Sequence, residues 1–191
     1  MKKNILVAIW MTLATTLLLG IVYPIVLTGL AQILFPKQAN GDLIRANGKI
    51  IGSRLIGQPF TSRGYFYSRP SAAGTAGYNP TSSGGSNLGP TNKALLDRVS
   101  TQVKTFQPDN PSAPVPADLV TASGSGLDPD ISPAAAQFQV PRVAHERGIS
   151  EDEVRALVRK HTEGRQLGFL GEARVNVLEL NVDLNAQHPL S

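Results

Sequence analysis

The chain has 191 residues, enough for one membrane anchor and one domain of about 150 residues, but not for two full domains. Its net charge of +4 does not indicate a basic surface, because residues 37 to 191 carry 16 Lys and Arg against 14 Asp and Glu, and we expect no nucleic-acid partner. The chain has no cysteine, which excludes disulfides, thiolate metal sites and a cysteine nucleophile.

The N-terminal segment predicts a membrane anchor. From Ile5 to Phe35 there are 31 consecutive residues without a charge, and about 20 are enough to cross a bilayer core. The alternative is a cleaved signal peptide, with Lys2 and Lys3 as its basic start and small residues at Gly29-Leu30-Ala31. The apolar run is roughly twice as long as a signal sequence requires. We therefore predict an uncleaved transmembrane helix over residues 5–35, which Pro24 would kink unless its surroundings accommodate it.

The orientation of the anchor follows from its short N-terminal tail. Basic residues lie on both sides of the helix, so their count does not decide. The tail of four residues contains two lysines, whereas a long following domain is translocated largely regardless of its charge. We predict a cell (inner) membrane protein with residues 1–4 in the cytoplasm and residues 36–191 as an extracytoplasmic domain.

Turn and strand signals begin this domain. Asn40-Gly41 and Asn47-Gly48 are turn signals, and the β-compatible pieces Lys49-Ile50-Ile51 and Arg54-Leu55-Ile56 predict the start of a hairpin. The segment 58–92 is rich in Gly, Ser, Pro and Asn, as a flexible linker would be. It also holds five of the ten Phe and Tyr residues, which a linker lacks, so we predict an ordered, irregular loop docked by its aromatic side chains.

Two helices and a possible strand between them are predicted next along the chain. A helix opened by Pro90 carries Leu95, Val99, Val103 and Phe106 on one face and ends before Pro108 and Pro111, and the following Leu119-Val120 is short and apolar enough to enter a sheet. A second helix is capped by Ser132, with Pro133 at its first position, and is interrupted by Pro141.

The C-terminal third contains the clearest local signature. Ser150 and Glu153 form a capping box that begins a helix ending at Gly164, with His161 at the end of its apolar face. Residues 175 to 184 fit both strand and helix periodicity, and we predict a short strand to Val177 followed by a helix capped by Asn176. The fold class is therefore α+β: one transmembrane helix followed by a small mixed domain.

Two motifs are weighed against simpler structural interpretations. Gly84 to Gly89 followed by Lys93 resembles a phosphate loop, but Pro90 and Asn92-Lys93-Ala94 stand where Gly-Lys-Ser/Thr and the helix start belong, so an ordinary glycine turn is favoured over nucleotide binding. Ser123-Gly124-Ser125-Gly126 resembles a nucleophile turn, but it lacks the preceding Gly, and the three histidines are scattered. We predict no catalytic residue and no metal site.

Asp128 and Asp130 form a pair of nearby carboxylates. Such a pair can do acid–base chemistry or bind a hard cation. Prolines on both sides and Ser132 before an Ala-rich run favour a rigid loop leading into a helix N-terminus, where Asp faces the helix dipole favourably. The structural role of the two carboxylates is therefore favoured over ligand binding.

Together with the basic start and the single anchor, five phrases resemble the KdpC family of Kdp potassium-transporting ATPase subunits. The phrases are Gly52-Ser53-Arg54-Leu55-Ile56-Gly57-Gln58, Tyr65-Phe66-Tyr67-Ser68-Arg69-Pro70-Ser71-Ala72, Ser86-Asn87-Leu88-Gly89-Pro90-Thr91-Asn92, Thr121-Ala122-Ser123-Gly124-Ser125-Gly126-Leu127-Asp128-Pro129 and Val175-Asn176-Val177-Leu178-Glu179-Leu180-Asn181. The chain departs from the family at Asp130, where a His is usual, so a proton- or cation-sensitive role of that position is altered in charge here.

The resemblance implies a non-catalytic accessory subunit of a high-affinity potassium uptake complex. Its implied partners are a potassium-translocating channel-like subunit, a P-type ATPase subunit that binds ATP, a small membrane subunit and membrane lipid, with potassium as the transported ion. It also implies a stabilising role in assembly and a catalytic-chaperone role that raises the affinity of the ATPase subunit for ATP. An extracytoplasmic domain cannot touch cytoplasmic ATP, so we expect this effect to be conformational.

The candidate partner-contact residues lie in the aromatic loop and in the Ser-Gly-Leu-Asp-Pro segment, since irregular loops on a rigid scaffold commonly carry contacts. They are Tyr65, Tyr67, Arg69, Asn87, Ser123, Ser125 and Asp128. The alternative function is a cytoplasmic regulatory domain that binds nucleotide and directly promotes ATP binding by the ATPase subunit. A membrane-tethered hydrolase using Ser123 or Ser125 is the third hypothesis.

Overall fold

The computed structural model describes residues 1–46 and 48–190, and Asn47 of the second predicted turn lies outside the described residues. The chain forms two compact units, Met1–Ile51 and a second that begins at Gly52. The helices are α1 (Lys2–Thr15), α2 (Tyr23–Leu34), α3 (Pro36–Ala39), α4 (Lys93–Phe106), α5 (Pro133–Arg147), α6 (Glu151–Lys160) and α7 (Val177–Gln187). The strands are β1 (Leu43–Ala46), β2 (Lys49–Ser53), β3 (Asp130–Ile131), β4 (Thr162–Glu163) and β5 (Arg174–Asn176).

The first unit begins with a helix of 33 residues, Lys2–Leu34, which is long and apolar enough to cross a membrane. Its middle part, Thr16–Val22, is π-helical, and the Tyr23 N–H donates to the Leu18 carbonyl across the wider turn. Pro24 follows at once, so the helix accommodates the missing N–H of proline by a local π-helical adjustment and continues beyond it. Strands β1 and β2 pair in a two-stranded sheet, so of the two pieces predicted for the hairpin only Lys49-Ile50-Ile51 lies in a strand, and its partner β1 was not predicted.

The predicted strand piece Arg54–Ile56 is wrong, because the chain turns there. Ser53 Oγ accepts a hydrogen bond from the Leu55 N–H at 3.1 Å, and the Ser53 carbonyl accepts one from the Ile56 N–H at 3.4 Å. In addition, Asn176 Nδ2 donates to the Arg54 carbonyl at 2.9 Å. The backbone groups that a strand would use are thus taken by a turn and by a distant side chain.

The second unit packs α5, α6 and α7 with a three-stranded antiparallel sheet of order β3-β5-β4. The sheet is only two or three residues deep, with Ile131 and Thr162 both opposite Val175. The core is therefore mainly helical. Its largest fully buried apolar side chains come from every part of the unit: Phe66, Leu119, Val140, Val143, Val154, Val158, Val175, Val177, Leu180 and Leu184.

The helix starts follow the predicted capping residues. Ser132 Oγ accepts from the Ala135 N–H at 3.1 Å, the Ser150–Glu153 capping box is complete, and Asn176 Oδ1 accepts from the Glu179 N–H at 3.1 Å. The fourth helix differs: α4 begins at Lys93 rather than near Pro90, because Asn92 caps it by accepting from the Ala94 N–H. A polar cap satisfies an otherwise free helix N–H, which proline at the start cannot do.

Three other expectations about element bounds are wrong. Helix α5 continues through Pro141 to Arg147, since burial of the residues on both sides of Pro141 outweighs a cost of about 3 kcal/mol for an interior proline. Leu119 and Val120 are buried, but Leu119 ends a 3₁₀ turn over Ala117–Leu119 and Val120 follows it, so neither lies in a strand of the described sheets. Thr121 Oγ1 donates to the Ala117 carbonyl. Helix α6 ends at Lys160, short of Gly164, and His161 caps its end.

The aromatic loop is ordered, as predicted, and two buried amide side chains hold its centre. Asn181 of α7 accepts from the Phe66 N–H at 2.8 Å and donates to the Phe66 carbonyl at 2.9 Å. Gln139 of α5 accepts from the Tyr67 N–H at 2.8 Å and donates to the Tyr67 carbonyl at 3.2 Å. The two side chains thus satisfy the backbone of an extended segment that has no neighbouring strand, as buried backbone groups require.

A buried cation completes this arrangement. The Arg142 guanidinium is fully buried and lies 2.9 Å from a carboxylate oxygen of Asp109, in an orientation that makes an ion pair but not a hydrogen bond. It also donates to Gln139 Oε1 at 2.7 Å and to the carbonyls of Arg63 and Tyr65. The guanidinium therefore fixes both the amide of Gln139 and the backbone just before Phe66.

We expect Asn181→Leu, which keeps the side-chain size but removes both hydrogen bonds, to lower the free energy of unfolding by about 2 to 5 kcal/mol, because it leaves two buried backbone groups unsatisfied. The measurement is urea unfolding of the detergent-solubilised chain, followed by far-UV circular dichroism. Asn185→Leu is the matched control, since the Asn185 side chain is exposed on the same helix and accepts a hydrogen bond from the Tyr65 hydroxyl rather than from buried backbone. We expect a change below about 1 kcal/mol. Equal losses in the two variants would contradict the role given to Asn181.

Candidate partner-contact site

The two candidate tyrosines are largely used for packing within the second unit. The Tyr65 ring lies 5.8 Å from the Phe60 ring and 4.9 Å from the Arg147 guanidinium, and its hydroxyl donates to Asn185 at 3.1 Å. The Tyr67 ring lies 6.0 Å from Phe106, and the Arg142 guanidinium is stacked on it at 4.0 Å. Cation–π contacts of this kind are worth about 0.5 to 2 kcal/mol. Both rings therefore dock the loop.

Arg69 joins the aromatic loop to the Ser-Gly-Leu-Asp-Pro segment. Its Nη1 donates to Asp128 Oδ2 at 3.0 Å, and both side chains are half-buried. The other carboxylate oxygen of Asp128 accepts from the Asp130 N–H at 3.1 Å, which fixes the turn into β3. The Tyr78 hydroxyl donates to the Arg69 carbonyl, and burial raises the pKa of Tyr78 above its usual value. The Asp128 carboxylate thus orients both the Arg69 guanidinium and the backbone of its own turn.

The two candidate serines lie in the same join. Ser123 is buried, and its hydroxyl accepts from the Gly126 N–H at 3.0 Å. Ser125 is exposed, its hydroxyl accepts from the Leu127 N–H at 3.1 Å, and its carbonyl accepts from the Gly84 N–H at 2.8 Å. Within residues 1–46 and 48–190, neither serine is hydrogen-bonded to a histidine. Both hydroxyls close turns, which supports a structural role.

Glycine is required at the centre of this join. Gly126 has a φ of +67°, and a Cβ there would lie 2.7 Å from both the Ala73 amide nitrogen and the Gly84 carbonyl oxygen. Its carbonyl accepts from Ser71 Oγ at 2.5 Å. The backbone at Gly126 therefore passes against the aromatic loop at Ala73 and Gly84 with no space for a side chain.

Asn87 lies apart from the other candidates. It is exposed, has a φ of +52°, and is not among the residues that line the cleft described below. The glycine run before it does not form a phosphate loop, since the next helix begins only at Lys93, whose ammonium group pairs with Asp97 at 2.8 Å. The structure thus pairs Arg69 with Asp128 in the lining of that cleft, whereas Ser123, Ser125 and Asn87 are not among its lining residues.

An open cleft of about 550 Å³ adjoins the join and carries both signs of charge. Its charged and hydroxyl-bearing residues are Arg69, Asp118, Thr121, Asp128, Asp130, Ser132, Glu172 and Arg174. Two of these acids, Asp118 and Glu172, were not predicted as part of a site, because single charges far apart in sequence give no signal. Asp118 accepts from the Ser132 N–H at 2.7 Å, and Glu172 pairs with Arg165 at 2.9 Å. The carboxylates of the cleft thus have internal partners.

Asp130 is one of these acids. Burial raises the pKa of its carboxyl group, and the opposing influences are Arg174, 3.2 Å away, and a hydrogen bond from Asn176 Nδ2 at 3.1 Å. Among the described residues, no group of three or more His, Asp or Glu is arranged to hold a metal ion. Arg174 pairs with both Asp130 and Glu163, so Asp130 belongs to an ion-pair network across the small sheet.

Comparison with known proteins places the chain in a family. Residues 5–186 match the family described as "KdpC: K+-transporting ATPase, c chain". A protein of Koribacter versatilis named "Potassium-transporting ATPase KdpC subunit" is 60% identical over 190 residues, covering 100% of this chain and 98% of the relative. Proteins with the same name from Rhodopseudomonas palustris (strain BisB18) and Methylococcus capsulatus are each 56% identical, covering 97% and 94% of this chain and 99% and 95% of those relatives. The chain therefore belongs to the KdpC family, and the resemblance found in its sequence is confirmed.

We expect Gly126→Ala to destabilise the second unit by about 2 to 4 kcal/mol, because the new methyl group would both strain a left-handed backbone and clash with two backbone atoms. Gly124→Ala is the matched control two residues earlier, since no atom lies within 4 Å of its added Cβ. Urea unfolding of the full chain measures both. Equal stability of the Gly126 variant and the wild type would show that the two segments are not held as closely as described.

Proposed function

We propose that this KdpC-family chain is an accessory subunit of the K+-transporting ATPase, without a catalytic site of its own, which stabilises the assembled complex and modulates its ATP-hydrolysing subunit. The observation that carries the proposal is the state of the candidate site. Its serines, carboxylates and tyrosines are engaged in turns, ion pairs and ring contacts inside the second unit. Groups held in this way support a fixed contact surface better than a reaction centre, which needs a nucleophile and base within reach of a substrate.

The proposal places the Lys2–Leu34 helix in the membrane beside the other membrane subunits. The helix is apolar around its whole circumference and carries charges only at Lys2 and Lys3. A helix of this kind is stable in hydrocarbon, where its backbone hydrogen bonds are satisfied internally. The partners we propose are the potassium-translocating channel-like subunit, the P-type ATPase subunit and the small membrane subunit, with the outer domain over the entrance of the channel-like subunit.

The proposed topology has the second unit outside the cytoplasm, which makes its effect on ATP hydrolysis indirect. Coupling across a membrane requires that the subunit bind one conformation of its partners more tightly than another. The alternative is a cytoplasmic regulatory domain that contacts nucleotide itself. Gly84, in the glycine run that such contact would use, donates its N–H to Ser125, which favours the indirect effect.

Deleting residues 52–191 while keeping the anchor should abolish high-affinity potassium uptake. The reason is that the deletion removes all the surface that the second unit offers to the complex. Uptake is measured at micromolar external potassium in cells that depend on this transporter, with membrane levels of the truncated and full-length chains matched by a common tag. Uptake at the wild-type rate by the truncated chain would refute the proposal.

The orientation can be tested by cysteine labelling, because the chain has no cysteine. In spheroplasts, a membrane-impermeant maleimide should label a Thr75→Cys variant, whose position is exposed in the second unit. The matched Asn4→Cys variant should be labelled only after the membrane is permeabilised. The reverse pattern would favour the cytoplasmic nucleotide-binding alternative.

A further inference from the structure

The loop between β4 and β5 exposes an unusual cluster of large apolar side chains. Leu167, Phe169 and Leu170 are 84%, 69% and 47% exposed. Three exposed apolar side chains within four residues form a patch, whereas single exposed ones are ordinary on a protein surface. Elsewhere in the second unit, Leu96 on α4 is an example of the ordinary case, at 55% exposed.

The tip that carries the cluster is a defined hairpin. Gln166 and Leu170 exchange two backbone hydrogen bonds, each of 2.9 Å, and the Phe169 N–H donates to the Gln166 carbonyl at 3.2 Å. The turn uses positive φ angles at Leu167 and Gly168. A leucine in this conformation costs about 1 kcal/mol or more. The backbone is thus strained at Leu167, and this conformation leaves the leucine side chain exposed in the turn.

The base of the hairpin is braced by charges. Arg165 donates to both carboxylate oxygens of Glu172, at 2.9 and 3.0 Å. One step further in, Glu163 and Arg174 are opposite each other in the sheet, and their side chains pair at 2.7 Å. The apolar tip therefore projects from a hairpin whose base is held by two ion pairs. Binding of the tip would then cost little conformational entropy.

The charge of the loop argues against a lipid surface as its partner. Segments that bind membranes at the interface combine apolar side chains with unpaired Lys or Arg, which are attracted to anionic headgroups. Between residues 164 and 173 the only charged residues are Arg165 and Glu172, and they neutralise each other. The surface that complements this tip is apolar and uncharged.

The size of the patch argues against a second copy of the chain. Three side chains of this kind expose on the order of 300 Å². Two such tips facing each other would bury roughly 600 Å² in total, less than the 1,200 Å² or so of a stable interface. The patch instead has the size of an anchor, a few apolar side chains that enter a pocket within a larger contact.

We propose that the hairpin tip Leu167, Phe169 and Leu170 inserts into an apolar groove on another subunit of the K+-transporting ATPase. This inference rests on the proposed function of the chain as an assembly subunit, and it assigns that function to a particular contact. The candidate residues in the cleft and the aromatic loop then shape the domain, and the hairpin tip makes the anchoring contact.

Photo-crosslinking of the full chain in native membranes tests the contact directly. Phe169→Cys carries benzophenone-maleimide, with Leu96→Cys as the control at an exposed leucine of the same unit. After irradiation, adducts are isolated through a tag on this chain and identified by mass. We expect position 169 to give an adduct with a subunit of the transporter, several-fold above position 96. An adduct with lipid, with a second copy or with an unrelated protein, or no adduct above the control, would overturn the proposal.

A second variant measures what the contact contributes. Phe169→Ser should lower recovery of the complex through the tag on this chain at least about tenfold, as expected for loss of an anchoring side chain. Leu96→Ser should leave recovery unchanged, and both variants should unfold at the urea concentration of the wild type. If Phe169→Ser assembles normally while deletion of the outer unit still abolishes uptake, this inference is wrong and the proposed function stands. If the deletion leaves uptake intact, the proposed function fails instead.

Discussion

The second unit depends on the pairing of two buried side-chain amides with the backbone of an irregular loop. Asn181 and Gln139 each satisfy both the N–H and the carbonyl of one residue, Phe66 and Tyr67 respectively. Burying these backbone groups without hydrogen-bond partners would cost several kcal/mol of folding free energy, so the loop could not otherwise pass through the core. Because one amide comes from α5 and the other from α7, the loop also fixes these two helices relative to each other. The Phe66 side chain can then be fully buried between them.

Near the cleft, too, side chains rather than helix or strand hydrogen bonds hold the chain in place. The Arg69–Asp128 pair joins the aromatic loop to the segment before β3, and Gly126 allows the two backbones to approach closely. The loop is thus docked at its centre by amides and at its end by an ion pair and hydroxyl groups. A loop fixed at both places is a rigid surface, although helices and strands are absent from the described residues 57–92. This explains how a stretch with the composition of a linker can belong to the core.

The predictions from sequence succeeded where the signal is local and failed where it depends on distant partners. Capping by Ser132, Ser150 and Asn176 was predictable, because each cap accepts from an N–H three residues further along the chain. The continuation of α5 through Pro141 and the turn at Arg54–Ile56 were not, since they are decided by burial and by the side chain of Asn176, which lies 122 residues from Arg54.

For the candidate site, the aromatic loop was correctly predicted to be ordered. Its amide partners could not be found, because Asn181 and Gln139 each appear within a helical pattern as one polar residue among many.

The exposure of the hairpin tip could not be predicted from the sequence, since Leu167-Gly168-Phe169-Leu170 has the composition of a buried strand end. The Arg165–Glu172 ion pair lies at the base of the exposed tip. Suppose that this tip binds one conformation of the partner subunits more tightly than another. Because the tip is already ordered, binding costs little conformational entropy. Most of the difference in binding free energy between the two conformations then appears as coupling free energy. Coupling free energies of about 1 to 3 kcal/mol, or roughly 5- to 150-fold in affinity, are then within the reach of a few apolar side chains. In the proposed topology, the second unit would need no contact with ATP to change how tightly the ATPase subunit binds ATP.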